Sequence, residues 1–127
     1  MLFVFALHHY LEHDKSQQGI LALYGNEKMA TALKHFHQKL NEKWDLARLA
    51  SKAGMSRTAF STKFKQYSGW TVNQYTNWWR MQIAWELLEA GDKVASVSYQ
   101  ISYLSEAAFS RAFKKQFNVS AGSVRKN

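Results

Sequence analysis

Two short phrases gather the side chains of this sequence that are best suited to bonding another molecule. In "RTAFSTKFK", residues 57–65, the residues Arg57, Thr58, Ser61, Thr62 and Lys65 interleave with Ala59, Phe60 and Phe64. In "EAAFSRAFKK", residues 106–115, Glu106, Ala107, Ser110, Arg111 and Lys114 interleave with Ala108, Phe109, Ala112 and Phe113. Wound as helices, both phrases turn their rings to one side and their small, polar or basic residues to the other. That outer face suits a helix pressed against DNA, where cations and hydroxyls meet phosphates and short side chains let the backbone approach base edges. Arg111 carries the most specific chemistry. A guanidinium forks onto guanine O6 and N7, worth about 1–3 kcal/mol of discrimination. The competing readings are a solvated arginine, or one paired with a carboxylate or a phosphate. Ser61 and Thr62 discriminate less, because a short hydroxyl bonds several bases. Glu106 either accepts from cytosine N4 or favours the positive end of its own helix.

Other chemistries find less support. Cysteine is absent, which removes disulfides and thiolate metal sites. His9 and His13 stand at i, i+4, with His8, His35 and His37 elsewhere, but nothing places a third metal ligand. The sequence has no nucleophile–base pair, glycine-rich phosphate loop or paired carboxylates, so it reads as a non-enzyme without a cofactor. Trp78, Trp79 and Trp85 suggest a stacking platform for single strands. Trp79, however, falls on an apolar helical stripe and reads as core, while Trp78 and Trp85 lie off it.

The two phrases are copies at one offset. Ser56, Ala59, Phe60, Ser61, Phe64 and Lys65 recur as Ser105, Ala108, Phe109, Ser110, Phe113 and Lys114, each 49 residues later. A short apolar helix and a tight break precede each copy: "LARLASKAG" before the first and "VASVSYQIS" before the second. The repeated unit is therefore helix, turn, helix. Its short first helix braces a second that enters the major groove, about 12 Å wide.

Between the copies, "VNQYTNWWRMQIAWELLEA" has an uninterrupted helical pattern, with Tyr75, Trp79, Ile83 and Leu87 as its apolar stripe, flanked by Ala84 and Leu88. At about 1.5 Å per residue such a helix is close to 28 Å long. It is a strut of the right order for two units reading grooves about 34 Å apart. Ahead of the first copy, Asn26 caps a helix with Met29, Leu33, Phe36 and Leu40 on its apolar face. The expectation is an all-α fold of about seven helices. Two helix-turn-helix units, about 45–69 and about 94–118, are joined by a linker helix over about 72–90.

Composition agrees with this organisation. The 127 residues are 46% hydrophobic and lack proline, which suits one compact helical domain. A formal charge of +8 favours a polyanionic partner. Residues 1–26 hold Glu12, Asp14 and Lys15, a net charge of −1, so the basic excess belongs to residues 27–127. The lead-in "MLFVFALHHYLEH" lacks a charged start and a cleavage site, and is too short to cross a membrane. It reads as a short amphipathic helix using Leu2, Phe3, Ala6, Leu7, Tyr10 and Leu11.

Residues 27 to 125 resemble the DNA-binding domain of the AraC/XylS transcription regulators. The most specific matches are "F-S-R-A-F-K" in the second unit and Tyr75, Arg80, Ala84, Leu87 and Leu88 in the linker helix. The resemblance implies a cytoplasmic bacterial regulator that binds double-stranded DNA and acts on transcription by recruiting or repositioning RNA polymerase. It implies base contacts from Thr58, Ser61, Thr62, Glu106, Ala107, Ser110 and Arg111, and phosphate or framework roles for Arg57, Lys65, Arg80 and Lys114. Residues 1–26 resemble the junction to a cupin-type sensor, of which the barrel itself is not in this sequence, so no small-molecule effector is expected on this segment. The family often has glycine at Ser102 and Asn118, proline at Val72 and Ala121, and an aromatic at Val124. Against this reading stand a non-specific nucleic-acid binder with a blunted second unit, and a protein-interaction module docking through "LFVFALHHYL" and exposed tryptophans.

Overall fold

The computed structural model describes residues 22–125, which form helices and turns without a strand. The lead-in helix expected within residues 2–11, and His8, His9 and His13, lie outside the described residues. No helix among those described is long and apolar enough to cross a membrane.

Capping residues set where the helices begin. Helix α1, Glu27–Gln38, starts at Asn26, whose side chain accepts from the Met29 N–H at 3.1 Å. Helix α2, Leu46–Ala53, starts at Asp45, whose carboxylate accepts from the Arg48 N–H at 2.8 Å. Helix α3, Arg57–Ser68, and helix α6, Glu106–Phe117, begin at Ser56 and Ser105, each accepting from the N–H three residues on at 3.1 Å. Helix α4, Val72–Glu89, opens with a reciprocal capping box between Thr71 and Gln74. Helix α5, Val94–Gln100, has no side-chain cap, and a short α7, Ala121–Val124, is capped by Ser120.

Two apolar cores form along this chain. The first unites Leu23, α1, α2, α3 and the start of α4 through Met29, Leu33, Phe36, Leu49, Phe60, Phe64, Tyr75 and Trp79. The second unites the rest of α4 with α5, α6 and α7 through Met81, Ala84, Leu88, Val97, Ile101, Phe109, Phe113 and Ala121. Ile83 packs against both.

The linker helix departs from the expected single stripe. Tyr75, Thr76 and Trp79 are buried in its first half, but Met81, Ala84 and Leu88 are buried in its second, while Ile83 and Leu87 are only half-buried. At about 100° per residue these two buried sets lie on nearly opposite sides of the helix. The strut therefore serves one core with each face, and Ile83 sits where the burial changes sides. Trp78 and Trp85 are also taken up by packing. Trp78 meets Trp70 edge-on at 5.8 Å, and Trp85 stacks on Phe113 at 5.8 Å and meets Phe117 at 4.8 Å.

Candidate nucleic-acid interface

Each unit must hold its second helix with one face free, and the buried phenylalanine pairs do so. Phe60 and Phe64 are fully buried in the first unit, as are Phe109 and Phe113 in the second. The ring centroids are 5.8 Å apart in one pair and 5.7 Å in the other. Opposite them, Arg57, Thr58, Ser61, Thr62 and Lys65 are exposed on α3, and Glu106, Ala107, Arg111 and Lys114 on α6; Ser110 is half-buried. In the first unit Arg57, Thr58, Ser61 and Thr62 line one open depression with Leu46, the first residue of α2.

The cations differ in how committed they already are. Lys65 donates to the Gly69 carbonyl at 3.1 Å, closing the end of its own helix. Arg80 is half-buried, with its guanidinium 5.4 Å from the Phe36 ring centroid in the first core. Burial lowers its pKa from the ordinary arginine value, while Tyr103 of the second unit acts in the opposite sense. Arg80 thus stands half-buried between the two units.

The turns leading into the two helices are not equivalent. In the first, Gly54 takes the left-handed conformation at φ 69°, and Met55 N–H bonds the Ala50 carbonyl at 2.9 Å. In the second, Ser102 takes it at φ 63°, and Tyr103 N–H bonds the Ser98 carbonyl at 3.0 Å. Both bonds span five residues, so Gly54 corresponds to Ser102 and Met55 to Tyr103, an offset of 48 rather than 49. Met55 and Tyr103 both pack inward against their cores. The residue left over is Leu104, which precedes Ser105 and is 86% exposed. It borders an open depression with Lys43, Trp44, Asp45, Arg80 and Ser102. The sequence reading missed this residue, although the change of offset ahead of Ser105 was its signal.

A second feature it missed is His37. The ring stacks on Trp79 at 4.0 Å between centroids, and its nitrogens contact the hydroxyls of Tyr75 at 2.9 Å and Tyr24 at 3.2 Å. Burial pushes its pKa down to about 4. The residue joins α1 to α4 as a neutral polar link within aromatic packing. No cluster of three or more metal-ligating side chains occurs among the described residues.

Comparison with known proteins places this arrangement. A family model described as a helix-turn-helix domain matches residues 49–127. The chain is 30% identical over 129 residues to the HTH-type transcriptional regulator MtrA of Neisseria gonorrhoeae, covering 99% of this chain and 43% of that protein. It is 33% identical over 110 residues to an AraC-like transcription regulator of Streptomyces antibioticus, covering 86% of this chain and 36% of the relative. It therefore spans less than half the length of either. Among solved structures, the DNA-binding domain of the global transcriptional factor AdpA, in complex with a target DNA, superposes with a TM-score of 0.72. That likeness has 27% identity and covers 77% of this chain and 89% of that one. An AraC-type regulator from Chromobacterium violaceum shares the fold, with a TM-score of 0.70 at 23% identity over 77% of this chain and 88% of that one. The chain belongs to the helix-turn-helix family, and within it to the AraC type.

Proposed function

We propose that this chain is the sequence-specific, double-stranded-DNA-binding part of a transcription regulator, with α3 and α6 entering successive major grooves. The observation that carries the reading is the pairing of two helices with fully buried phenylalanines on one side and exposed polar or basic residues on the other. Its relatives are transcription regulators, and one structural neighbour is held on a target DNA. Thr58, Ser61, Thr62, Glu106, Ala107, Ser110 and Arg111 are the base readers of this proposal, and Arg57 and Lys114 its phosphate contacts. Lys65 joins them by exchanging the Gly69 carbonyl for a phosphate oxygen. Arg80 helps by holding the two units together at the joint, with its charge near the interface.

Residues 27–127 constitute the DNA-binding domain in this reading, with units about 45–69 and 94–118 around the linker. Residues 1–26 are a sensor-domain remnant or a lead-in segment in this reading. The chain acts in the cytoplasm without catalysis, and changes transcription through contact with RNA polymerase.

Selection of random duplexes by the purified chain at two salt concentrations tests this reading. Enrichment of an asymmetric site with two blocks about one helical turn apart is expected, with affinity falling steeply as salt rises. Binding without enrichment, abolished by salt, would overturn sequence-specific reading and leave a non-specific polyanion binder.

A further inference from the structure

Leu104 has no place in either core, yet its position is tightly defined. On one side the Tyr103 N–H bonds the Ser98 carbonyl, and the Tyr103 ring meets Phe109 edge-on at 5.8 Å. On the other side Ser105 caps α6 through the Ala108 N–H. The leucine between these anchors is 86% exposed, the highest value among the large exposed hydrophobic residues described, Tyr24, Tyr99 and Val119 being the others. The first unit has no counterpart, because Met55 runs directly into Ser56.

The depression that Leu104 borders holds two cations, exposed Lys43 and half-buried Arg80, beside Trp44 and Ser102, and its one acid, Asp45, is engaged as the cap of α2. Ala107, three residues on, is also exposed, so the entry to α6 offers small and apolar groups beside cations. In the major groove the apolar group on a base edge is the thymine 5-methyl. A leucine fixed at the start of a groove-reading helix, in basic surroundings, matches that group better than it matches water.

We infer that Leu104 is a specificity-determining residue of the second unit, reading a thymine through its 5-methyl group. This rests on the DNA-binding reading above and goes beyond its residue set. The first unit lacks the extra residue and cannot make the equivalent contact from the same place.

The test uses the whole chain and the duplex it selects, with each thymine replaced singly by deoxyuracil, which removes the methyl and keeps the hydrogen-bonding edge. One replacement in the half-site of the second unit is expected to weaken wild-type binding about fourfold, the effect of losing one buried carbon. In Leu104→Ala the same replacement has no effect, while affinity for the uracil duplex equals that of the wild type. The substitution is at an exposed side chain, so the variant folds, which thermal unfolding checks. If no uracil replacement weakens the wild type, or if the loss is equal in Leu104→Ala, the assignment to Leu104 fails while specific DNA binding stands. If Leu104→Ala binds every duplex as the wild type does, Leu104 takes no part in DNA recognition and the inference is overturned. If no duplex is selected at all, the underlying DNA-binding reading fails with it.

Discussion

The two helix-turn-helix units run the same local programme with different reserves. Both cap the second helix with serine and bury two phenylalanines a turn apart. Among the described residues the first draws on 12 buried core residues, some of them from α1, which has no equivalent ahead of α5. The second draws on eight. The first turn places glycine at its left-handed residue, the second places Ser102, and the C-caps repeat the contrast with Gly69 at φ 78° and Asn118 at φ 61°. A β-carbon in that conformation costs about 1 kcal/mol, somewhat less for asparagine. The second unit thus combines a smaller core with more local strain, and carries the extra exposed leucine.

Core truncation is the strongest way to break this contrast. Phe60→Ala and Phe109→Ala each remove a fully buried ring, and such changes cost about 3–5 kcal/mol. In Phe109→Ala, amide exchange should lose protection throughout α5, α6 and α7 while α1 to α3 stay protected. Phe60→Ala should weaken the first unit without opening it fully. If Phe109→Ala opens all seven helices together, α4 and Ile83 fuse the cores into one cooperative body and the contrast of reserves fails.

Acid should invert the ranking, because the first unit packs the His37 ring against Trp79 and the second unit carries no histidine. No histidine occurs beyond residue 37. Above the ordinary histidine pKa of about 6.5, His37 is neutral in both folded and unfolded chains and adds no pH dependence. As pH falls through that value the unfolded chain binds a proton, whereas the folded ring, with its pKa at about 4, does not. Stability is therefore full above about pH 6.5 and declines towards pH 4, by about 3 kcal/mol in all and about 2 kcal/mol by pH 5. Amide exchange of α1 and of the start of α4 at pH 7 and pH 5, in wild type and in His37→Phe, checks this. The acid-induced loss should be confined to the first unit and absent from the variant.

Much of this architecture was legible in the sequence because its signals are local. Asn26, Asp45, Ser56 and Ser105 are short polar residues at helix starts, and each accepts from the N–H three residues on. The F-x-x-x-F spacing alone turned the outer faces of α3 and α6 towards solvent. The linker stripe was not legible in the same way. Periodicity assumes one buried face, and α4 is packed from two sides in succession. Leu104 escaped because an offset read from the matching helices hides a single inserted residue in the turn between them. Arg80 could be placed on the linker but not assigned to an open or a covered face, since that depends on Phe36 and Tyr103, which are distant in sequence.

The interface contrast is finer. At corresponding positions the first helix has Thr62 and the second Arg111, both exposed. A forked guanidinium discriminates by about 1–3 kcal/mol, and one hydroxyl by less. Arg111→Ala should relax selection at one or two base pairs in its own half-site, and Thr62→Ala should relax selection in the other half by a smaller factor. Selection profiles of the two variants separate these effects. A uniform weakening by Arg111→Ala on all sequences, with a shallower salt dependence, would make Arg111 a phosphate contact and leave base reading in the second unit to Glu106, Ala107, Ser110 and Leu104.

The smallest expected effect bears most directly on strain. Ser102→Gly relieves the left-handed β-carbon and should stabilise the second unit by about 1 kcal/mol, less the added flexibility of glycine in the unfolded chain. Gly54→Ser, which installs the same strain in the first turn, should destabilise by a similar amount; its β-carbon would meet no atom within 4 Å, so conformation alone is at stake. Chemical denaturation of both variants measures the pair. Equal and opposite shifts would mean that the two turns are interchangeable in backbone terms. A Ser102→Gly variant that gains no stability would show that the second turn already accommodates its serine. The extra residue before α6, Leu104, is then the main difference between the turns.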